Sequence, residues 1–282
     1  MTDRSQIFIS TEDLAAKLGD PNLRIVDGSW YQPTVPRDAI VEYEIRRIPG
    51  AVYFDIDVIA DTSTGLPHML PDAAAFERMA GELGLSESDE IVVYDGAGIA
   101  SAPRVWWMLR YYGAKNVRIL EGGFERWMRE RREMDRDDPQ PPAPAVFRAT
   151  VDPRPLTDMA RVARHLAEGS ATVIDTRPAE RFTGEAPEPR EGIPSGHMPG
   201  ALGIPAGAFV KGLVLADEPT IRAALAGVDL ERPIVCTCGS GVTASILWVA
   251  LLAIGVPEER LTLYDGSWSE WATSGGAIVT GA

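Results

Sequence analysis

Cysteine and histidine are scarce in this 282-residue chain, which has two of the first and three of the second. Two cysteines cannot make a disulfide framework, and with so few histidines they hardly make a zinc site. Positive charge is also short: 27 Lys and Arg stand against 41 Asp and Glu, a formal net charge of −14. Such a field repels phosphate backbones and anionic lipid, which argues against nucleic acid and membrane surfaces as partners. An anionic substrate would need a local basic pocket. Long apolar runs are missing too, since the longest, Ala244 to Val256, is too short to span a bilayer. The opening MTDRSQIFIS has no basic region followed by a long apolar stretch, so no secretory signal is visible. The expectation is a soluble protein of a reducing compartment, the cytoplasm. Hydrophobic residues at 45% and charged residues at 24% are the ordinary globular mix, against disorder, collagen and coiled coil. The length predicts two domains.

The chain repeats itself. Ser10-Thr11-Glu12-Asp13-Leu14 opens a helical pattern with a capping signal, and Leu156-Thr157-Asp158-Met159-Ala160 opens a similar one. Ile25-Val26-Asp27 returns as Val173-Ile174-Asp175, and Ile48-Pro49-Gly50-Ala51 as Met198-Pro199-Gly200-Ala201. Ile91-Val92-Val93-Tyr94-Asp95-Gly96 returns as Ile234-Val235-Cys236-Thr237-Cys238-Gly239. Gly122-Gly123-Phe124-Glu125-Arg126-Trp127 returns as Gly266-Ser267-Trp268-Ser269-Glu270-Trp271. Ordered matches displaced by about half the chain imply duplicated domains. Between the halves, Pro139, Pro141, Pro142, Pro144, Pro153 and Pro155 rule out a helix or central strand and predict an extended, semi-rigid spacer. The expected divisions are residues 1–138, a linker at 139–155, and residues 156–282.

Within each half, short β-branched runs alternate with helical patterns, as in an α/β protein with a parallel sheet flanked by helices. Ile91–Tyr94 and Ile234–Cys236 read as strands buried on both faces. They lead into helical patterns over Ala102–Tyr112 and Val242–Ile254. Ligands of such sheets bind beyond the carboxyl ends of strands, which directs attention to the loops Asp95–Ser101 and Cys238–Thr243.

The second loop, Cys238-Gly239-Ser240-Gly241-Val242-Thr243, carries the chemistry. Its glycines let the backbone curl and turn successive N–H groups inward, and the following helix adds the positive end of its dipole. That setting favours Cys238 as a thiolate near neutrality, suited to taking up sulfur or attacking phosphorus. Cysteine phosphatases need an arginine after five intervening residues to clamp the phosphoryl group, and here that position is Ala244. Phosphatase chemistry is therefore disfavoured. Free cysteines are usually structural. Cys236, inside the apolar run, fits that description, whereas the glycines around Cys238 do not. A Cys236–Cys238 redox pair is the remaining alternative.

This loop, the stretch Gly196-His197-Met198-Pro199-Gly200-Ala201, the duplicated halves and the terminal Ser269-Glu270-Trp271 resemble the tandem rhodanese-domain sulfurtransferases, most of all their 3-mercaptopyruvate branch. The resemblance implies two rhodanese-like domains and transfer of the donor's sulfur to Cys238 as a persulfide. From there it would pass to a thiophilic acceptor such as cyanide, a thiol or thioredoxin. No metal or organic cofactor is required. Arg181 and Arg190 match the family's substrate arginines, which would grip the carboxylate and carbonyl of a 2-oxo acid. From the residues alone, both read rather as surface charges balancing Glu180, Glu185, Glu188 and Glu191. Gly239, Gly241, Val242 and Thr243 complete the binding loop. Ser240 would act with Asp57 and His68 across the domain interface, although from spacing His68 is a lone loop histidine. His197 is expected to be structural, and His165 lies in a helical pattern.

The first half departs from the pattern. Asp95 stands where Cys238 stands, and Arg47 replaces the motif histidine. A carboxylate cannot accept sulfane sulfur and would repel an anion, so this domain is expected to be catalytically silent. Trp106, Trp107 and Trp127 are expected in the core or between domains. Two alternatives accompany the mercaptopyruvate reading. One is thiosulfate sulfurtransferase, whose branch carries basic residues where Gly239 and Ser240 leave room for a keto acid. The other is a non-catalytic binding or sulfur-relay module.

Overall fold

The structure, a computed structural model, describes residues 4–281. The first half contains strands β1 (Phe8–Ile9), β2 (Leu23–Asp27), β3 (Ala51–Tyr53), β4 (Glu90–Tyr94) and β5 (Asn116–Leu120). The second contains β6 (Leu156–Thr157), β7 (Thr172–Asp175), β8 (Leu202–Gly203), a hairpin of β9 (Val210–Lys211) and β10 (Val214–Leu215), then β11 (Ile234–Thr237) and β12 (Leu261–Tyr264). Apart from the hairpin, these form two five-stranded parallel sheets with orders β1-β5-β4-β2-β3 and β6-β12-β11-β7-β8. The two orders are the same topology, so the repeated motifs reflect a repeated fold.

β4 and β11 lie at the centre of their sheets, and every residue of Ile234–Thr237 is buried. Cys236 pairs in register with Ile174 of β7 and Leu263 of β12. Strands covered on both faces tolerate no polar alternation, which is why both runs read as continuous apolar segments. Helix Ala102–Tyr111 follows β4 and helix Ala244–Ala253 follows β11. The second begins two residues later than its pattern, because Gly241 turns at φ +79° and Val242 and Thr243 belong to that turn.

Those two helices meet at the interface between the halves. Helix Ala244–Ala253 is apolar around its whole circumference and all but its last residue is buried, as a helix enclosed on every side requires. Trp248 packs edge-to-face on Trp107 at 5.9 Å, within one apolar cluster that draws on both sheets. Trp106 and Trp127 are core residues whose indole N–H groups donate to the carbonyls of Val117 and Glu133.

The Pro-rich stretch is extended, as its missing N–H groups dictate. It is also strapped to the first half. Ala145 and Thr150 donate to the carbonyls of Gly81 and Tyr112, and buried Phe147 sits edge-on to Phe76. His197 stacks on Phe182 at 3.9 Å and donates through Nδ1 to its carbonyl, while Arg47, its counterpart, pairs with Asp135. Among the described residues, no helix is long and apolar enough to cross a membrane.

Trp248→Ala would open a cavity in the shared core. It is expected to cost about 3–5 kcal/mol of unfolding free energy, measured by chemical denaturation.

Candidate active site

Cys238 stands at the carboxyl end of β11, where the sheet's central strand delivers the chain into a tight turn. The turn is held from outside by the Gly-Ser-Trp-Ser-Glu-Trp motif. The backbone N–H groups of Trp268 and Ser269 donate to the carbonyls of Cys238 and Gly239 at 2.9 and 3.0 Å, and Ser269 Oγ also reaches Gly239 at 2.7 Å. Ser267, at φ +50°, accepts the Cys238 N–H at 3.4 Å. Ser245 Oγ donates to the carbonyl of Gly241 at 3.1 Å. With the carbonyls drawn outward, the N–H groups of Gly239, Ser240, Gly241, Val242 and Thr243 find no acceptor among the described residues. An open ring of donors suits an anion.

The corresponding turn in the first half is closed by its own residue. Asp95 Oδ2 accepts from the N–H groups of Ala100, Ser101 and Ala102, and Oδ1 from that of Ala97, all within 3.0 Å. The carboxylate thus does more than repel an incoming anion. It is the anion.

Cys238 lines a cavity of about 430 Å³, together with Gly239, Ser240, Val242, Thr243, Arg181 and Arg190. Gly241 is not among the lining residues and lies beneath the turn. Only 2% of Cys238 is exposed, so its approach is through that cavity. Cys236 is fully buried, and burial pushes its thiol well up, consistent with a core residue.

The arginines differ in how far they are neutralised. Arg177, buried, pairs with Asp175 and with Glu188 at 2.7 Å each. Arg181 also binds Glu188, and its guanidinium lies 3.1 Å from where a side chain on Gly239 would begin. Arg190 makes no ion pair among the described residues and lies over the ring of Trp30, 5.8 Å from its centroid. Burial lowers its pKa from the ordinary 12.5, opposed by Asp57 and Cys238. It is the unneutralised cation of the cavity.

Asp57, His68 and Ser240 are brought together from the two halves. His68 Nδ1 is 2.9 Å from Ser240 Oγ, and Nε2 is 2.8 Å from Asp57 Oδ1. A carboxylate only accepts, so Nε2 carries the proton and Nδ1 accepts from the Ser240 hydroxyl. The other Asp57 oxygen accepts from Trp30 Nε1 at 2.9 Å, and Trp30 meets the His68 ring edge-to-face at 4.8 Å. Burial lowers the His68 pKa from 6.5, outweighing the opposing pull of Asp57, whose own pKa is lowered by its bond to His68. His68 is therefore neutral at physiological pH.

The profile of the Rhodanese-like domain matches the sequence twice, at residues 10–130 and 158–274. The chain belongs to the rhodanese family. It is 42% identical over 262 residues to human 3-mercaptopyruvate sulfurtransferase, covering 91% of this chain and 87% of that one. The Escherichia coli (strain K12) 3-mercaptopyruvate sulfurtransferase is 38% identical, with 94% of each chain covered. A thiosulfate sulfurtransferase from Cricetulus griseus is 39% identical, with 94% of this chain and 91% of that one covered. The crystal structure of SseA, a 3-mercaptopyruvate sulfotransferase from Escherichia coli, superposes with a TM-score of 0.85 at 36% identity, covering 93% of this chain and 99% of that one.

Several residues of this site escaped sequence reasoning. Trp30, Gln32, Thr176 and Arg177 line the cavity, as do Pro205 to Gly207. A tryptophan and a glutamine in a half-buried loop carry no motif. Arg177, just after Val173-Ile174-Asp175 at a strand's carboxyl end, is the one with a positional signal.

A methyl group on Gly241 would lie 3.0 Å from Arg104 Nη1 and 3.4 Å from the Asp265 carbonyl, at a φ that disfavours side chains. Gly241→Ala is expected to lower stability by about 1 kcal/mol or more and to slow sulfur loading of Cys238. Denaturation and intact-mass kinetics would check both.

Proposed function

We propose that this rhodanese is a 3-mercaptopyruvate sulfurtransferase, with Cys238 as the sulfur carrier. The observation that carries the reading is the hydrogen-bonded chain from Ser240, two residues after Cys238, through His68 to Asp57. Mercaptopyruvate gives up sulfur only by breaking a carbon–sulfur bond, which demands that a proton be moved. The Cys238 thiolate attacks the substrate sulfur and forms an S–S bond. The C–S pair departs to the methylene carbon as pyruvate enolate. Ser240, backed by neutral His68, takes the proton of the substrate thiol and returns it to that carbon, leaving a Cys238 persulfide and pyruvate. Arg190 and Arg181 would hold the 2-oxo acid, with the open N–H ring receiving the sulfur. The outer sulfur then passes to a thiolate or cyanide acceptor, and the Cys238 thiolate is restored. A thiol such as that of thioredoxin is the acceptor class in this reading, and the reducing cytoplasm its setting.

Thiosulfate is the second reading, favoured by the Cricetulus griseus relative. Transfer from thiosulfate breaks an S–S bond, releases sulfite and moves no proton. The two donors therefore separate the roles. Cys238→Ser is expected to abolish the gain of about 32 Da with either donor. Ser240→Ala is expected to lower kcat on mercaptopyruvate by about 10²-fold and thiosulfate turnover by about threefold at most. A larger loss on thiosulfate, or wild-type turnover of thiosulfate exceeding mercaptopyruvate by an order of magnitude, would sink the assignment.

The pH profile follows from His68. Its proton-accepting form exists above its pKa, which lies below 6.5. Activity on mercaptopyruvate should rise with pH through an acid limb centred below 6.5, and thiosulfate turnover should lack that limb. A limb centred above pH 7 would show that another group controls the step.

A further inference from the structure

We infer that Arg104 is a positioning residue for carbon–sulfur cleavage, holding the His68 segment of the first half onto the second through its buried ion pair with Asp265. The inference rests on the Asp57–His68–Ser240 relay proposed above. Arg104 lies in the first turn of helix Ala102–Tyr111, and Asp265 directly follows β12 in the other half. Their side chains are 0% and 6% exposed. A single nitrogen, Arg104 Nη2, donates to Asp265 Oδ1 at 2.6 Å and to the backbone carbonyl of His68 at 2.7 Å. The other carboxylate oxygen, Asp265 Oδ2, accepts the N–H of Leu70 at 2.7 Å. One guanidinium and one carboxylate thus grip the backbone on both sides of Met69.

The grip falls where the chain needs it. His68 has φ +60°, a left-handed conformation that costs a residue with a side chain about 1–2 kcal/mol. In that conformation its ring meets Ser240, and relaxation to negative φ would turn the ring away. Folding alone gives little reason for the ion pair. A buried pair contributes little net stability over apolar residues of the same volume. Here it also leaves Arg104 Nε and Nη1 without hydrogen-bond partners among the described residues. The apolar contact of Trp107 with Trp248 already joins the halves. What the pair adds is register: both bonds form only when the His68 segment sits at one place against the Cys238 turn, beneath which Nη1 lies close to Gly241.

Inorganic polysulfide provides the reference reaction. Cys238 takes its terminal sulfur by breaking an S–S bond, a polysulfide one atom shorter leaves, and no proton moves. Arg104→Met, Arg104→Lys, Asp265→Asn and His68→Ala would be compared with the unaltered chain. The readouts are kcat and KM on mercaptopyruvate and the rate of the roughly 32 Da mass gain with inorganic polysulfide. Arg104→Met is expected to lower kcat on mercaptopyruvate by about tenfold or more, with KM within about threefold and polysulfide loading within about twofold. Arg104→Lys should recover most of the loss, because one ammonium can make both Nη2 bonds. Should Arg104→Met fail to fold, Asp265→Asn, which removes one of the two acceptors, should show the same split. Equal losses with both sulfur sources would reduce Arg104 to a structural role, and an unchanged kcat would show that the His68 segment stands without it. His68→Ala separates this from the underlying reading. If it leaves mercaptopyruvate turnover intact, the relay is wrong; if it abolishes turnover while Arg104→Met does not, only the positioning role falls.

Discussion

An acceptor must be found for the peptide N–H groups at the end of each central strand, and the two halves find it differently. Backbone donors turned inward are costly to leave unmet. In the first half Asp95 satisfies them from within, and the turn is complete. In the second half the same position is a cysteine, whose single sulfur cannot span the ring as the two oxygens of Asp95 do. The open donors then select an external partner, and a sulfur bearing negative charge beside Cys238 is the natural one. A single exchange of carboxylate for thiol thus leaves one turn closed and the other open.

The half with the closed turn nevertheless stays next to the open one, because of how duplicated sheets pack. Each turn leads into a helix, and the two helices bury their apolar faces against each other. That packing places the first turn of helix Ala102–Tyr111, and with it Arg104, under the Cys238 turn. The segment carrying His68 is carried along. Apolar packing is non-directional and fixes the halves only approximately. The polar contacts Arg104–Asp265 and His68–Ser240 are directional and select one arrangement from those the packing allows. Association and precision are thus supplied by different interactions.

Much of this was legible in the sequence, and the gaps have a common cause. The sheets were readable because buried parallel strands leave continuous β-branched runs, and the duplication because equal topology keeps turn motifs in equal order. The Cys238 turn announced itself through its glycines. The exact helix start did not, because Val242 and Thr243 are apolar enough to continue the pattern yet are spent on the turn. Asp95 was read as a carboxylate that repels an anion, but sequence gives no sign that it also folds back on its own amides. Trp30 and Arg104 were passed over altogether. Each takes its meaning from a partner brought close by folding, Asp57 for the one and Asp265 for the other, and no local spacing encodes such a pairing. His68 was recoverable only through family resemblance, for the same reason.

Charge accounting within the cavity bears on which donor it suits. Arg177 and Arg181 share Glu188, and Arg177 also faces Asp175, so these four groups cancel. Arg190 is left, with Asp57 nearby to offset part of its field. Asp57 in turn is engaged by His68 and Trp30, which draw its charge toward the relay and away from the cavity. The cavity therefore offers about one free positive charge plus neutral N–H donors, inside a chain whose global field is negative. A monoanionic 2-oxo acid is matched by that supply. A dianion such as thiosulfate brings a second charge that must be stripped of water without a second cation to meet it, and desolvation of an unpaired charge is the more expensive term. The electrostatics of the cavity thus favour the same donor as the proton transfer proposed for Ser240, on independent grounds.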